Sequence, residues 1–171
     1  AEQGTSLFMV GGTAADVARA RPLLEAMGDT IHHCGPAGAG TRTKLINNYL
    51  AIFSCMLNAE ALALASAFKL DLRTTLDVIY GTTAVNGQNK INWPNKVLKG
   101  DTSPGFRIAL AHKDASLIVE AARKAGVPMF VGVAARECLG QAMRTGDFGG
   151  RDFSALLDCV CAQAGVAPPR L

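Results

Sequence analysis

A glycine-rich turn runs into a helical stretch that carries one lysine and two amides at helical spacing. The segment is Cys34-Gly-Pro-Ala-Gly-Ala-Gly-Thr-Arg-Thr-Lys-Leu-Ile-Asn-Asn48. Lys44 stands three residues before Asn47 and four before Asn48, so all three side chains share one helix face. A lysine there can give a proton to a substrate oxygen, and its neutral amine can take one back. The two amides can orient a small polar substrate beside it.

Folding alone argues against this combination. Asparagine amides compete for backbone hydrogen bonds, and two inside a helix cost roughly 1 kcal/mol relative to alanine. A lysine in the first turn faces the positive end of the helix dipole, a field that eases loss of its proton. The glycines fit neither nucleotide motif. Gly35, Gly38 and Gly40 occupy the first, fourth and sixth positions, where a dinucleotide fingerprint needs the first, third and sixth. Gly35 and Gly40 have phosphate-loop separation, but Thr41 and Arg42 follow where that loop needs lysine. The glycines still permit close approach of backbone to a ligand or another segment.

The elements that must position this cluster begin with a short apolar strand, Ser6 to Val10, closed by Gly11-Gly12. Thr13 caps a helix ending at Gly28, and Thr30 to Cys34 reads as a second strand. This β-α-β unit reads as the last piece of a doubly wound sheet. Everything beyond Gly40 reads helical. A first helix over Thr43 to Lys69, roughly 40 Å long, is apolar nearly all round and so is expected to be a buried axis. Asp71 caps a helix stopped at Gly81. A polar segment leads to Trp93-Pro94 and a helical turn reaching Leu98; Gly100 to Gly105 is a loop. Helices are expected over 107–125, 130–145 and 152–164, and the tail Ala167 to Leu171 is expected to fray. Since the chain starts at Ala1 without methionine, it reads as part of something longer.

Composition bounds the rest. The 171 residues are 49% hydrophobic and 18% charged, which suggests helix faces covered by another subunit or domain. The net charge of +3 is small and its basic residues scattered, so nucleic-acid binding has no footprint. Five cysteines, an odd number without metal-ligand spacing, fit a reduced cytoplasmic protein, and His32, His33 and His112 are too dispersed for a metal site. The most apolar window, Tyr49 to Leu70, is interrupted by Asn58, Glu60 and Lys69, which favours a buried helix over a membrane span.

Gly35-x-x-Gly38-x-Gly40-x-x-x-Lys44-x-x-Asn47-Asn48 resembles the catalytic signature of the β-hydroxyacid dehydrogenases, the 3-hydroxyisobutyrate dehydrogenase-like family. Phe106-x-x-x-Leu110-x-x-Lys113-Asp114 is similar to their second signature. Asn92-Trp-Pro-Asn-Lys-Val-Leu98, Gly100-Asp101 and Ser103-Pro104 look most like the 3-sulfolactaldehyde and succinic semialdehyde reductase branch. The resemblance implies a mainly α chain: residues 1–34 as the last β-α-β piece of a Rossmann-type α/β domain, and residues 35–171 as an all-helical substrate and dimerisation domain on one long central helix. It implies NAD or NADP as cofactor, a small acidic aldehyde or hydroxy acid as substrate and a homo-oligomer, with no metal, nucleic acid or membrane. Lys44 would be the catalytic acid/base. Asn47, Asn48, Gly38 and Gly40 would bind substrate, and Lys113 would reach the cofactor. The nucleotide-binding glycine loop is not in this chain, so the piece alone is expected to be inactive. Two kinds of relative, imine reducers and lysine-less binding proteins, lack the residue that stands here as Lys44. The alternative is a non-catalytic helical dimerisation module.

Overall fold

The computed structural model describes residues 6–171. Residues 1–5 of the expected first domain lie outside the described residues. The described residues are mostly helical with one two-stranded parallel sheet. The chain divides into two compact units, one ending at Asn48 and one over Tyr49–Leu171. The division falls inside a helix.

In the first unit, β1 (Leu7–Gly11) pairs with β2 (Thr30–Gly35) through α1 (Ala14–Glu25). Thr13 caps α1 as expected, its hydroxyl accepting from the Asp16 N–H at 3.2 Å. Register runs from Leu7↔Thr30 to Val10↔His33 and slips before Gly11↔Gly35. Gly28 ends the connection because a Cβ there would strike the Ser6 carbonyl and the Phe8 ring.

The long helix α2 (Ala39–Ala67) starts four residues earlier than the sequence suggested. Glycine was expected to hold the chain as a loop. Instead the Ala39 N–H donates to the Pro36 carbonyl at 2.9 Å, and the Arg42 N–H to the Gly38 carbonyl at 3.1 Å. Gly40 is buried because the β1 backbone occupies the space of its missing side chain. Lys44 therefore sits in the second turn, where the helix-end field has weakened. At the other end, Lys69 takes a left-handed φ of 58°, the turn conformation usually given to glycine. The Leu70 N–H then reaches back to the Ala65 carbonyl at 3.0 Å.

In the second unit, α2 contributes Ile52, Phe53, Cys55, Met56, Ala59 and Leu62 to the core. It is not buried all round. Leu50, Leu57 and Leu64, seven residues apart, are more than half exposed along one face. The remaining helices are α3 (Leu72–Tyr80), α4 (Ile108–Lys124), α5 (Phe130–Arg144) and α6 (Leu156–Ala164). Asp71 caps α3, accepting from the Thr74 N–H at 2.8 Å. Trp93, Val97 and Leu98 are fully buried on short helical turns between α3 and α4. Full burial of a side chain of this size contributes about 2–3 kcal/mol.

The turns before Trp93 are fixed by amides. Asn58 of α2 exchanges hydrogen bonds with Asn86 at 2.9 and 3.2 Å, and the Gln88 amide donates to the Ala51 carbonyl at 3.1 Å. Asp101 holds the next loop. It accepts from the Ser103 hydroxyl at 2.6 Å and the Ser103 N–H at 2.8 Å, and pairs with Lys96 at 3.1 Å. These donors hold its carboxyl down at about 2. The folded value is below the unfolded one of about 3.9, so the contribution is present above that value and lost as pH falls. Thermal melts of the parent and Asp101→Asn should therefore differ at neutral pH and converge between about pH 4 and pH 2. A constant difference across that range would exclude this role.

The tail does not fray. The Ser66 hydroxyl donates to the Ala167 carbonyl at 2.6 Å, and the Leu171 N–H to the Leu98 carbonyl at 2.9 Å. Arg170 grips both carboxylate oxygens of Asp158 at 2.8 and 2.9 Å. Two prolines suggested an unstructured end, but they only prevent regular structure, not docking.

Candidate functional site

Lys44, Asn47 and Asn48 occupy the second and third turns of α2, at the end nearest β1. With Gly40 and Thr41 they form one wall of a cleft of about 320 Å³. Leu7, Phe8 and Met9 of β1 form the other. One side is thus amide and ammonium, the other largely apolar. Such a cleft suits a molecule of few heavy atoms with polar groups at one end.

Asn47 donates from its amide to Asn48 Oδ1 at a long 3.4 Å. Lys44 is exposed and forms no ion pair among the described residues. The first turn of α2 holds no acidic residue. Arg42 and Lys44 thus add positive charge to a helix end that already favours anions.

Of the other expected residues, only Gly40 joins the cleft. Gly38 is not part of the cleft lining; its φ of +86° makes the turn into α2, and its nearest neighbour is the Arg42 guanidinium. Gly40 lines the cleft and also seats α2 on β1. Lys113 is in the second unit, on α4, with its side chain 61% exposed and its Nζ 2.7 Å from Asp114 Oδ1. The strand wall of the cleft was missed in the sequence. The signal for it was Gly40, since a glycine inside a helix marks close approach of another backbone.

Comparison with known proteins bears on what such a cleft serves. The family model described as NAD-binding of NADP-dependent 3-hydroxyisobutyrate dehydrogenase matches residues 38–160. The chain belongs to the 3-hydroxyisobutyrate dehydrogenase family. A relative within it is a 3-sulfolactaldehyde reductase of Escherichia coli, 45% identical over 163 residues that cover 95% of this chain and 54% of the relative. A probable 3-hydroxyisobutyrate dehydrogenase of Mycobacterium tuberculosis is 35% identical over 170 residues, covering 96% and 57%. A solved 3-hydroxyisobutyrate dehydrogenase from Mycobacterium tuberculosis, described with L-serine, superposes with a TM-score of 0.82. It is 33% identical, and the match covers 92% of this chain and 56% of that one. The chain therefore spans about half the length of the curated relatives it matches. Its relatives in the 3-hydroxyisobutyrate dehydrogenase family are NAD(P)-dependent dehydrogenases acting on CH–OH groups. A nicotinamide dinucleotide is the family's cofactor.

Proposed function

We propose that this chain provides the lysine-bearing half of an active site that interconverts a small acidic aldehyde and its hydroxy acid. The observation carrying this reading is the cleft in which Lys44, Asn47 and Asn48 face the apolar residues of β1. The rest of the protein, at the length of the relatives, is proposed to carry a Rossmann-type nucleotide domain. Residues up to 34 would be its last β-α-β piece, and residues 35–171 the helical substrate domain. The piece by itself is proposed to be inactive, and the exposed leucines of α2 to face a second copy in a cytoplasmic homo-oligomer.

A bound nicotinamide dinucleotide would supply or accept the hydride. In the reducing direction, the Lys44 ammonium hydrogen-bonds the carbonyl oxygen and gives it a proton as negative charge grows there. In the oxidising direction, its neutral amine takes the hydroxyl proton. The Asn48 amide holds the substrate's hydroxyl or acid group, while Asn47 keeps the lysine and substrate in line. The acid-free start of α2 favours a substrate with a carboxylate or sulfonate. Gly40 lets the β1 wall come close to the substrate, and Gly38 makes the turn that starts α2. Lys113, an exposed cation paired with its neighbour Asp114, fits contact with an anionic dinucleotide from the helical side.

The test is turnover by the protein at the length of its relatives. NADH and NADPH should each be offered with 3-sulfolactaldehyde, succinic semialdehyde and tartronate semialdehyde. Cofactor oxidation with at least one aldehyde is expected. Tight folding without turnover on any pair would favour the non-catalytic helical module instead.

A further inference from the structure

The helix that carries Lys113 starts without a cap of its own. No side chain caps α4 at Arg107, so its first N–H groups need partners from elsewhere. The Ile108 N–H finds the Arg151 carbonyl at 3.0 Å. Beside it stands Asp152, 3% exposed and untouched by the chemistry above. Asp152 Oδ2 accepts from the N–H groups of Gly105 at 3.1 Å and Phe106 at 3.0 Å. Asp152 Oδ1 accepts from the Ser154 N–H at 3.1 Å and the Ser154 hydroxyl at 2.6 Å. Its own N–H donates to the Thr102 carbonyl at 3.0 Å, and the Phe153 N–H donates to that of Phe106 at 2.8 Å.

Burying a carboxylate is costly, and a fold can close a helix start with a serine or threonine. Four donors converge here, and an acceptor-only group satisfies all four. What that rigidity serves follows from the face α4 presents to its neighbours. Its buried stripe is Ile108, Ala111, Ala115 and Ile118. Two of these four are alanines, which resist rolling or sliding poorly because they interlock with little. Packing on α5 holds α4 sideways, and the bonds at its start add a fixed point along and about its axis. Lys113 lies five residues on, about 7.5 Å up the axis, on the exposed side.

We propose that Asp152 is a positioning residue: by fixing the start of α4 it holds Lys113 where the lysine meets the nicotinamide dinucleotide. This rests on the reading of Lys113 given above. Asp152→Asn keeps the shape and removes the charge. Whichever way the amide turns, its NH2 faces a pair of donors. The Ser154 hydroxyl can reverse to accept, so the NH2 turns to Ser154: the Ser154 N–H loses its acceptor, and the Gly105 and Phe106 N–H groups keep an amide oxygen in place of a charged one, a weaker hold on the start of α4.

A double-mutant cycle in the protein at the length of its relatives tests the proposal, using whichever of NADH and NADPH it turns over. Asp152→Asn and Lys113→Gln should each raise the Kd for that cofactor in a direct binding titration, and its KM, about tenfold, with kcat changed less. In the Lys113→Gln background, Asp152→Asn should add less than about twofold. A full tenfold effect in that background, or no effect of Asp152→Asn in the parent, overturns the positioning role and leaves Lys113 intact. If Lys113→Gln itself leaves the cofactor KM unchanged, the reading of Lys113 fails and the proposal with it. Should Asp152→Asn not fold, Ser154→Ala removes a single hydroxyl donor to the same carboxylate. It should raise the cofactor KM by about threefold, again only where Lys113 is present.

Discussion

Replacing Lys44 with alanine is expected to lower turnover about a thousandfold or more in the protein at the length of its relatives, with cofactor affinity little changed. General acid catalysis contributes about 10²–10⁴ to rate, and the lysine charge also offsets the anion developing on the substrate oxygen. The loss should fall on kcat, because the proton is needed only as hydride transfer proceeds. Lys44→Arg sharpens the result. Arginine keeps the positive charge and can still hydrogen-bond the oxygen, but it holds its proton too tightly to give it up or run the reverse reaction. Lys44→Arg should therefore remain within about tenfold of the alanine variant. Steady-state kinetics with a binding titration of the reduced cofactor separates the two quantities. Near-normal turnover in Lys44→Ala would remove the lysine from the mechanism.

Adding one methyl group at Gly40 is expected to cost about 3 kcal/mol of stability, near the upper end for overpacking. An alanine Cβ there would strike the Met9 carbonyl oxygen and lie 2.8 Å from the Met9 carbonyl carbon and 3.1 Å from the Gly11 nitrogen. All three are strand backbone atoms, so no side chain can rotate away. Either α2 lifts from β1 or the strand bends, and both deform the cleft wall beside Lys44. Gly87 is the matched control. Nothing lies within 4 Å of a Cβ there, and its φ is an ordinary −59°. Gly87→Ala should be neutral or slightly stabilising. Chemical denaturation of both variants checks the pair, and equal effects would show that crowding at Gly40 is not the cause.

Local chemistry explains which parts of the structure were readable in advance. Asp71 and Thr13 announce helix starts because a side-chain oxygen followed by helix formers is a local signal, and both caps form. Lys44, Asn47 and Asn48 stand out because their types conflict with helix propensity, and the cleft gathers all three. The early start of α2 was hidden because three glycines look like a loop until a strand backbone is present to occupy the space at Gly40. The exposed leucines of α2 were taken for core because composition does not say which apolar face finds a neighbour. Asp152 was invisible for a related reason. Two of its four donors come from Gly105 and Phe106, more than forty residues away in sequence, and no short motif encodes those two. The docked tail shows the same limit, since Arg170 looks like a surface charge until Asp158 stands beside it.

Trp93 is the chain's single tryptophan, and it is fully buried in the second unit. Its emission is therefore an optical report on Tyr49–Leu171 alone. The first unit holds the strands and the whole lining of the cleft, yet it contains no indole. Unfolding followed by fluorescence would register the helical core and pass over the loss of β1 and β2. Far-ultraviolet dichroism senses the backbone of both units, and the two signals coincide only if the units unfold as one cooperative body.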